Sequence, residues 1–121
     1  MVRGDNLEER LINFVVRMIN LCKQLPNDRA GNHIAGQLLR SGTSPAANYA
    51  EARNAESSKD FIHKLKIVLK ELNESRIWLE IIICSNMQSS SKLKDIIQEC
   101  TELCKITNAS IITARNKQTK N

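Results

Sequence analysis

Cys100 and Cys104 stand four residues apart, one helical turn, close enough for two thiolates to share a metal. A zinc site takes four ligands, usually with a tight turn inside each pair. No C-x-x-C occurs here, and Cys22 and Cys84 are remote in sequence. The simpler reading is four small side chains on or beside apolar helical faces, free thiols that fit a reducing cytoplasm. Glu71 and Glu74 are three apart, but no Glu-x-x-His accompanies them, as a di-iron bundle requires. They are expected on the polar side of their helix. His33 and His63 are isolated. Neither phosphate-binding glycine loop is present, G-x-x-x-x-G-K-[ST] or G-x-G-x-x-G, nor is the nucleophile elbow G-x-S-x-G. No polar groups converge, so the chain reads as non-enzymatic, with no catalytic residue, metal or cofactor.

Two other patterns carry chemistry. Lys59, Lys66 and Lys70 recur at spacings of seven and four, so they share one helical face, with His63 among them and Lys64 nearby. Ammonium groups on flexible stems suit phosphate contact without base specificity. The second pattern is Gln37, Ser41, Ser44, Asn48 and Glu51, at spacings of four, three, four and three. A solvated helix face usually carries Lys and Glu. A stripe of short polar residues predicts a helix–helix contact in which Ser41, Ser44, Asn48 and Glu51 share hydrogen bonds.

The elements that position these residues follow from periodicity. The 121 residues hold two Phe, one Tyr, one Trp, four Gly and two Pro, a helical composition sized for one domain. Helix one is predicted over about residues 5–25. It has a capping box at Asp5/Glu8 or Asn6/Glu9, and Leu7, Leu11, Phe14, Val15, Met18, Cys22 and Leu25 form its core stripe. Pro26 ends it. Helix two is predicted over about 28–55, capped by Asn27 or Asp28 and kinked rather than broken at Pro45.

Helix three is predicted over about 58–87, capped by Ser57 or Ser58. Its core stripe is Phe61, Leu65, Val68, Leu72, Leu79 and Ile83. Its other face turns from basic to apolar at Ile77, Trp78 and Ile81, and a helix apolar on two sides is buried on two sides. Those three residues are therefore predicted to form an oligomer interface. Helix four is predicted over about 92–115, capped by Ser91, with Asn116–Asn121 frayed. Short loops between long helices give an all-α, antiparallel up-down-up-down four-helix bundle over residues 1–121.

The segment from Gln37 to Glu80 resembles the bacterial proteins encoded in intervening sequences of 23S ribosomal RNA genes, also labelled S23 ribosomal proteins. The matching residues are Gln37-Leu38-Leu39-Arg40-Ser41, then Ser44, Asn48, Glu51 and Ala52, then Ser58-Lys59-Asp60-Phe61, Lys64-Leu65, Val68, Glu71, Glu74 and Trp78-Leu79. Many members have Gly where this chain has Ala52. The resemblance implies an antiparallel bundle assembled as a ring, commonly a homopentamer, without established enzymatic activity. A related group, the accessory proteins of diversity-generating retroelements, implies contact with nucleic acid.

Net charge is +5, from 18 basic and 13 acidic residues, and residues 105–121 carry Lys105, Arg115, Lys117 and Lys120 with no acid. No apolar run approaches the ~20 residues of a membrane span and no signal peptide is seen, so a cytoplasmic protein is expected. The leading expectation is an oligomeric bundle whose face at Lys59, Lys64, Lys66 and Lys70 contacts RNA or DNA. The alternative is a protein-interaction scaffold that binds no nucleic acid.

Overall fold

Every regular element among the described residues is a helix. The structure, a computed structural model, describes residues 3–120. The helices are α1 (Arg3–Lys23), α2 (Arg29–Arg53), α3 (Ser58–Cys84) and α4 (Ser90–Lys120). Each packs most closely on its neighbour in sequence, while α1 and α4 meet only sparsely. This is a four-helix bundle in chain order, with a loose seam between its first and last helices.

Local chemistry fixes the helix ends. The Asp28 carboxylate accepts from the Gly31 N–H at 2.8 Å and starts α2. The Ser57 hydroxyl accepts from the Asp60 N–H at 3.0 Å and starts α3, where Asp60 also suits the helix dipole. At the start of α4 the capping hydroxyl is that of Ser89, not Ser91, reached by the Lys92 N–H at 3.4 Å. Helix α1 begins at Arg3, so the capping box predicted at Asn6 lies inside the helix. The Asp5 side chain falls outside the described residues.

Helix α3 stops at Cys84, three residues short of the expected Met87. There Asn86 takes the left-handed conformation, φ 62°. The Met87 N–H bonds the Ile82 carbonyl and the Asn86 N–H the Ile83 carbonyl, both at 3.0 Å. These two bonds are a Schellman termination, with Asn in the place usually held by Gly. Helix α4 runs through Asn116 to Lys120, past its predicted fraying point. Helix α2 continues unbroken through Pro45, which is buried.

The buried lines repeat at threes and fours. They are Leu7, Leu11, Phe14, Met18 and Leu21 in α1, continued by Leu25 just beyond it, and Leu93, Ile96, Cys100, Leu103, Thr107 and Ile111 in α4. Alternating steps of three and four keep one face of each helix in the core, the pattern of knobs-into-holes packing in bundles. In α3 the line is Ile62, Leu65, Val68, Leu72, Ser75, Leu79 and Ile82. Phe61 and Ile83, predicted for that core, are only half-buried; so are Val15 and Cys22 of α1. Gly42 brings α2 hard against α1: a Cβ there would lie 2.6 Å from Met18 Cγ.

Candidate nucleic-acid face and assembly surfaces

Helix α3 presents Lys59, His63, Lys66 and Lys70 to solvent on one face. Lys64 does not join them. Its Nζ donates to Glu51 Oε1 of α2 at 2.8 Å, and that bond raises its pKa. An ammonium held by a carboxylate is a poor phosphate ligand, so the basic face contracts to three lysines.

The polar stripe of α2 divides in two. Ser41 is fully buried and receives a hydrogen bond from Ser75 of α3 at 2.9 Å; the Ser75 hydroxyl lies equally near the Glu71 carbonyl. Glu51 reaches α3 through Lys64. Ser44 and Asn48 instead satisfy each other along α2. The Asn48 amide donates to Ser44 Oγ at 2.8 Å and to the Ser44 carbonyl at 3.0 Å. The expected bonds across the helix contact therefore form at Ser41 and Glu51, and the Asn48 bonds stay within the helix because an i, i+4 partner is already in reach.

A cluster outside the predicted sites joins α2 and α3. Arg40 pairs with Glu71 Oε2 at 3.2 Å and with Glu74, and also donates to Gln37 Oε1. Glu71 and Glu74 thus face α2 and not solvent alone. Trp78 Nε1 donates to Glu74 Oε2 at 3.0 Å, and its ring meets His33 edge-on with centroids 6.4 Å apart. The Trp78 bond first, then Arg40, holds the Glu74 carboxyl below the ordinary glutamate range. Trp78, predicted with Ile77 and Ile81 for an oligomer interface, is half-buried inside its own subunit.

Ile77 and Ile81 beside it remain 47% and 37% exposed. They continue the line of Lys59, Lys66 and Lys70, so one face of α3 is basic in its first half and apolar in its second. A second apolar stripe, not anticipated from sequence, lies on α1. Ile12, Val16 and Ile19, spaced four and three, are each at least 37% exposed. In a bundle ordered α1-α2-α3-α4 these two helices are diagonal, so the stripes point in different directions.

At the end of the bundle that holds the α2–α3 turn, the loose α1/α4 seam opens into a cleft of about 1010 Å³. Arg10 spans the seam, donating to Glu99 through Nε at 3.0 Å and Nη2 at 2.6 Å, and that pairing raises its pKa. Arg53 lies 3.6 Å from Glu8. All four cysteines are free thiols. Cys100 is buried and donates to the Leu72 carbonyl at 3.2 Å. Its contact with Cys104, then burial, pushes its pKa up, and the same contact lowers that of Cys104. Burial pushes the Cys22 thiol up to about 11. Among the described residues no group of three or more His, Cys, Asp or Glu could hold a metal, and no helix is long and apolar enough to cross a membrane.

The family described as 23S rRNA-intervening sequence protein matches residues 7–109. A solved structure from Bacteroides thetaiotaomicron, described as a protein with unknown function from the S23 ribosomal protein family, superposes with a TM-score of 0.85. It is 37% identical, over 91% of this chain and 98% of that one. No curated relative matches. The chain belongs to the 23S rRNA-intervening sequence protein family.

Proposed function

We propose that this family member acts without catalysis, as a homo-oligomer of four-helix bundles that holds nucleic-acid phosphates on the basic half of α3. The observation that carries the reading is the two-part face of α3. Lys59, Lys66 and Lys70 are exposed there, while Lys64, one residue off the line, is taken up by Glu51. Three ammonium groups along about three turns match a phosphate backbone in spacing and charge, and they read no base.

The assembly follows from the apolar half. Ile77 and Ile81 leave apolar surface in water, as do Ile12, Val16 and Ile19 of α1. Burying side chains of this size contributes roughly 1.5–3 kcal/mol each. A two-fold contact through either stripe leaves the other uncovered. A head-to-tail contact, α3 of one copy on α1 of the next, covers both and closes into a ring. A homopentamer is the ring that the resemblance implies. Such a ring multiplies the subunit's +5 charge and strengthens attraction for a polyanion.

The test is fluorescence anisotropy with labelled RNA, from low to physiological salt, beside sedimentation equilibrium. Affinity should fall steeply with salt through counterion release. Changing Lys59, Lys66 and Lys70 together to Glu should abolish binding and leave the helical circular dichroism intact. No binding by the unaltered protein at low salt removes the nucleic-acid reading and favours a scaffold for a protein partner. A monomeric mass removes the ring.

A further inference from the structure

We infer that the cleft at the α1/α4 seam takes an unstacked base from a single-stranded nucleic acid, which makes the protein a single-strand binder; this rests on the nucleic-acid reading above. The cleft is about 1010 Å³, at the upper end of the usual size for a small-molecule pocket and ample for one nucleobase with its sugar. Its walls offer what a base requires. Phe61, half-buried, supplies an aromatic surface, and Ile106 and Ala114 add apolar contact. Ser58, Ser110 and Thr113 bring hydroxyls for hydrogen bonds to a base edge.

The rim carries paired charges. Arg10, Arg53 and Lys117 line it with Glu56, while Glu99 and Glu102 flank Arg10 and Glu8 lies 3.6 Å from Arg53. Arg10 is held along its Nε/Nη2 edge by Glu99, so its guanidinium is fixed in direction and keeps its Nη1 edge for a second acceptor. The cleft opens at the end of α3 where the basic face begins: Ser57 and Ser58 line it, and Lys59 follows them in the first turn, on the other side of the helix from Phe61. A strand whose phosphates run along Lys70, Lys66 and Lys59 reaches the cleft by turning round the N-terminal end of α3. A duplex cannot follow that path without breaking a pair, whereas stacking on an aromatic wall is open to every base of a single strand.

The experiment compares a short single-stranded RNA with its duplex by anisotropy at one salt concentration. In parallel it follows 2-aminopurine placed within the single strand, whose emission rises when the base leaves its neighbours. The unaltered protein should prefer the single strand by about tenfold and raise the emission. Ala109→Trp fills the cleft from an exposed wall position and removes no core contact. It should erase both the preference and the emission rise, leaving salt-dependent binding of both forms through the lysines. Phe61→Ala should act in the same direction, with circular dichroism to show that the fold persists. Equal affinity for single strand and duplex overturns the inference, as does a preference that survives Ala109→Trp, while the phosphate-binding reading stands. Absence of binding to either form overturns both.

Discussion

Gly42→Ala should destabilise the protein although it places a better helix former inside α2. Propensity alone gives a gain of about 0.8–1 kcal/mol. Against it stands the approach of α1. The new methyl would lie 2.6 Å from Met18 Cγ, 3.1 Å from Sδ and 3.3 Å from Cβ, where carbon atoms normally rest at about 3.5–4 Å. Met18 is wholly buried, so it has no solvent to swing into, and relief must come from moving α1 outward or straining the side chain. Overpacking of this kind costs about 1–3 kcal/mol. The clash outweighs the propensity, and the expected net loss is about 1 kcal/mol. Removing the obstacle should reverse the sign. Met18→Ala loses about 2–5 kcal/mol by itself, and in that background Gly42→Ala should gain about 1 kcal/mol. The coupling is then about 2 kcal/mol, well beyond the additivity expected of independent sites. Urea unfolding followed by circular dichroism reads all four proteins, at several protein concentrations because assembly adds to apparent stability. If Gly42→Ala stabilises the parent as much as it does the Met18→Ala protein, close helix approach at Gly42 is not what requires the glycine.

Two further outcomes follow from the polar contacts. Glu74 has its folded pKa depressed, so its contribution is present above the unfolded value of about 4.3 and is lost as pH falls through the folded value. Trp78→Phe deletes the principal donor; between about pH 6 and pH 3 its urea midpoint should fall less than that of the parent, and equal falls would refute the Trp78–Glu74 linkage. Among the thiols, exposed Cys84 and the lowered Cys104 should react with a maleimide in the folded protein, while Cys22 and Cys100 react only on unfolding. Rapid labelling of Cys100, read by mass spectrometry of peptides, would contradict its burial.

Helix number, order and most core positions were legible because the leucine and isoleucine spacing is strong. The errors have physical causes. Hydrophobicity alone runs the core line of α3 through Phe61 and Ile83 because it skips Ser75, the polar residue that sits on the true line between Leu72 and Leu79. With Ser75 included, the steps of three and four lead to Ile62 and Ile82. Its partner Ser41 stands out only as one of several short polar residues in a helix rich in Ala, Gly and Ser, and no pattern within one helix names the residue across the contact. The Arg40 cluster was hidden for the same reason: Glu71 and Glu74 look like a solvated edge until α2 brings a guanidinium to them. The α1 stripe of Ile12, Val16 and Ile19 lies on the far side of the helix from the core line, where isolated exposed apolar residues are ordinary and nothing in the sequence of one helix marks a second contact. The cleft depends on how far α1 and α4 separate, and that distance is written in no local signal.

The packing of each helix on its successor also sets how the chain can reach this structure. Three of the four helix interfaces join elements that are consecutive in sequence, so each closes only a short loop, and topologies dominated by such contacts fold in microseconds to milliseconds. The exception is the seam, whose Arg10–Glu99 bond joins residues 89 apart in sequence. Closing so long a loop costs more chain entropy than the contacts between consecutive helices do, and few contacts repay it. The α1/α4 seam should therefore form last in folding and open first in native-state hydrogen exchange, which makes the rarest excursion of the rest of the bundle an ordinary event at the mouth of the cleft.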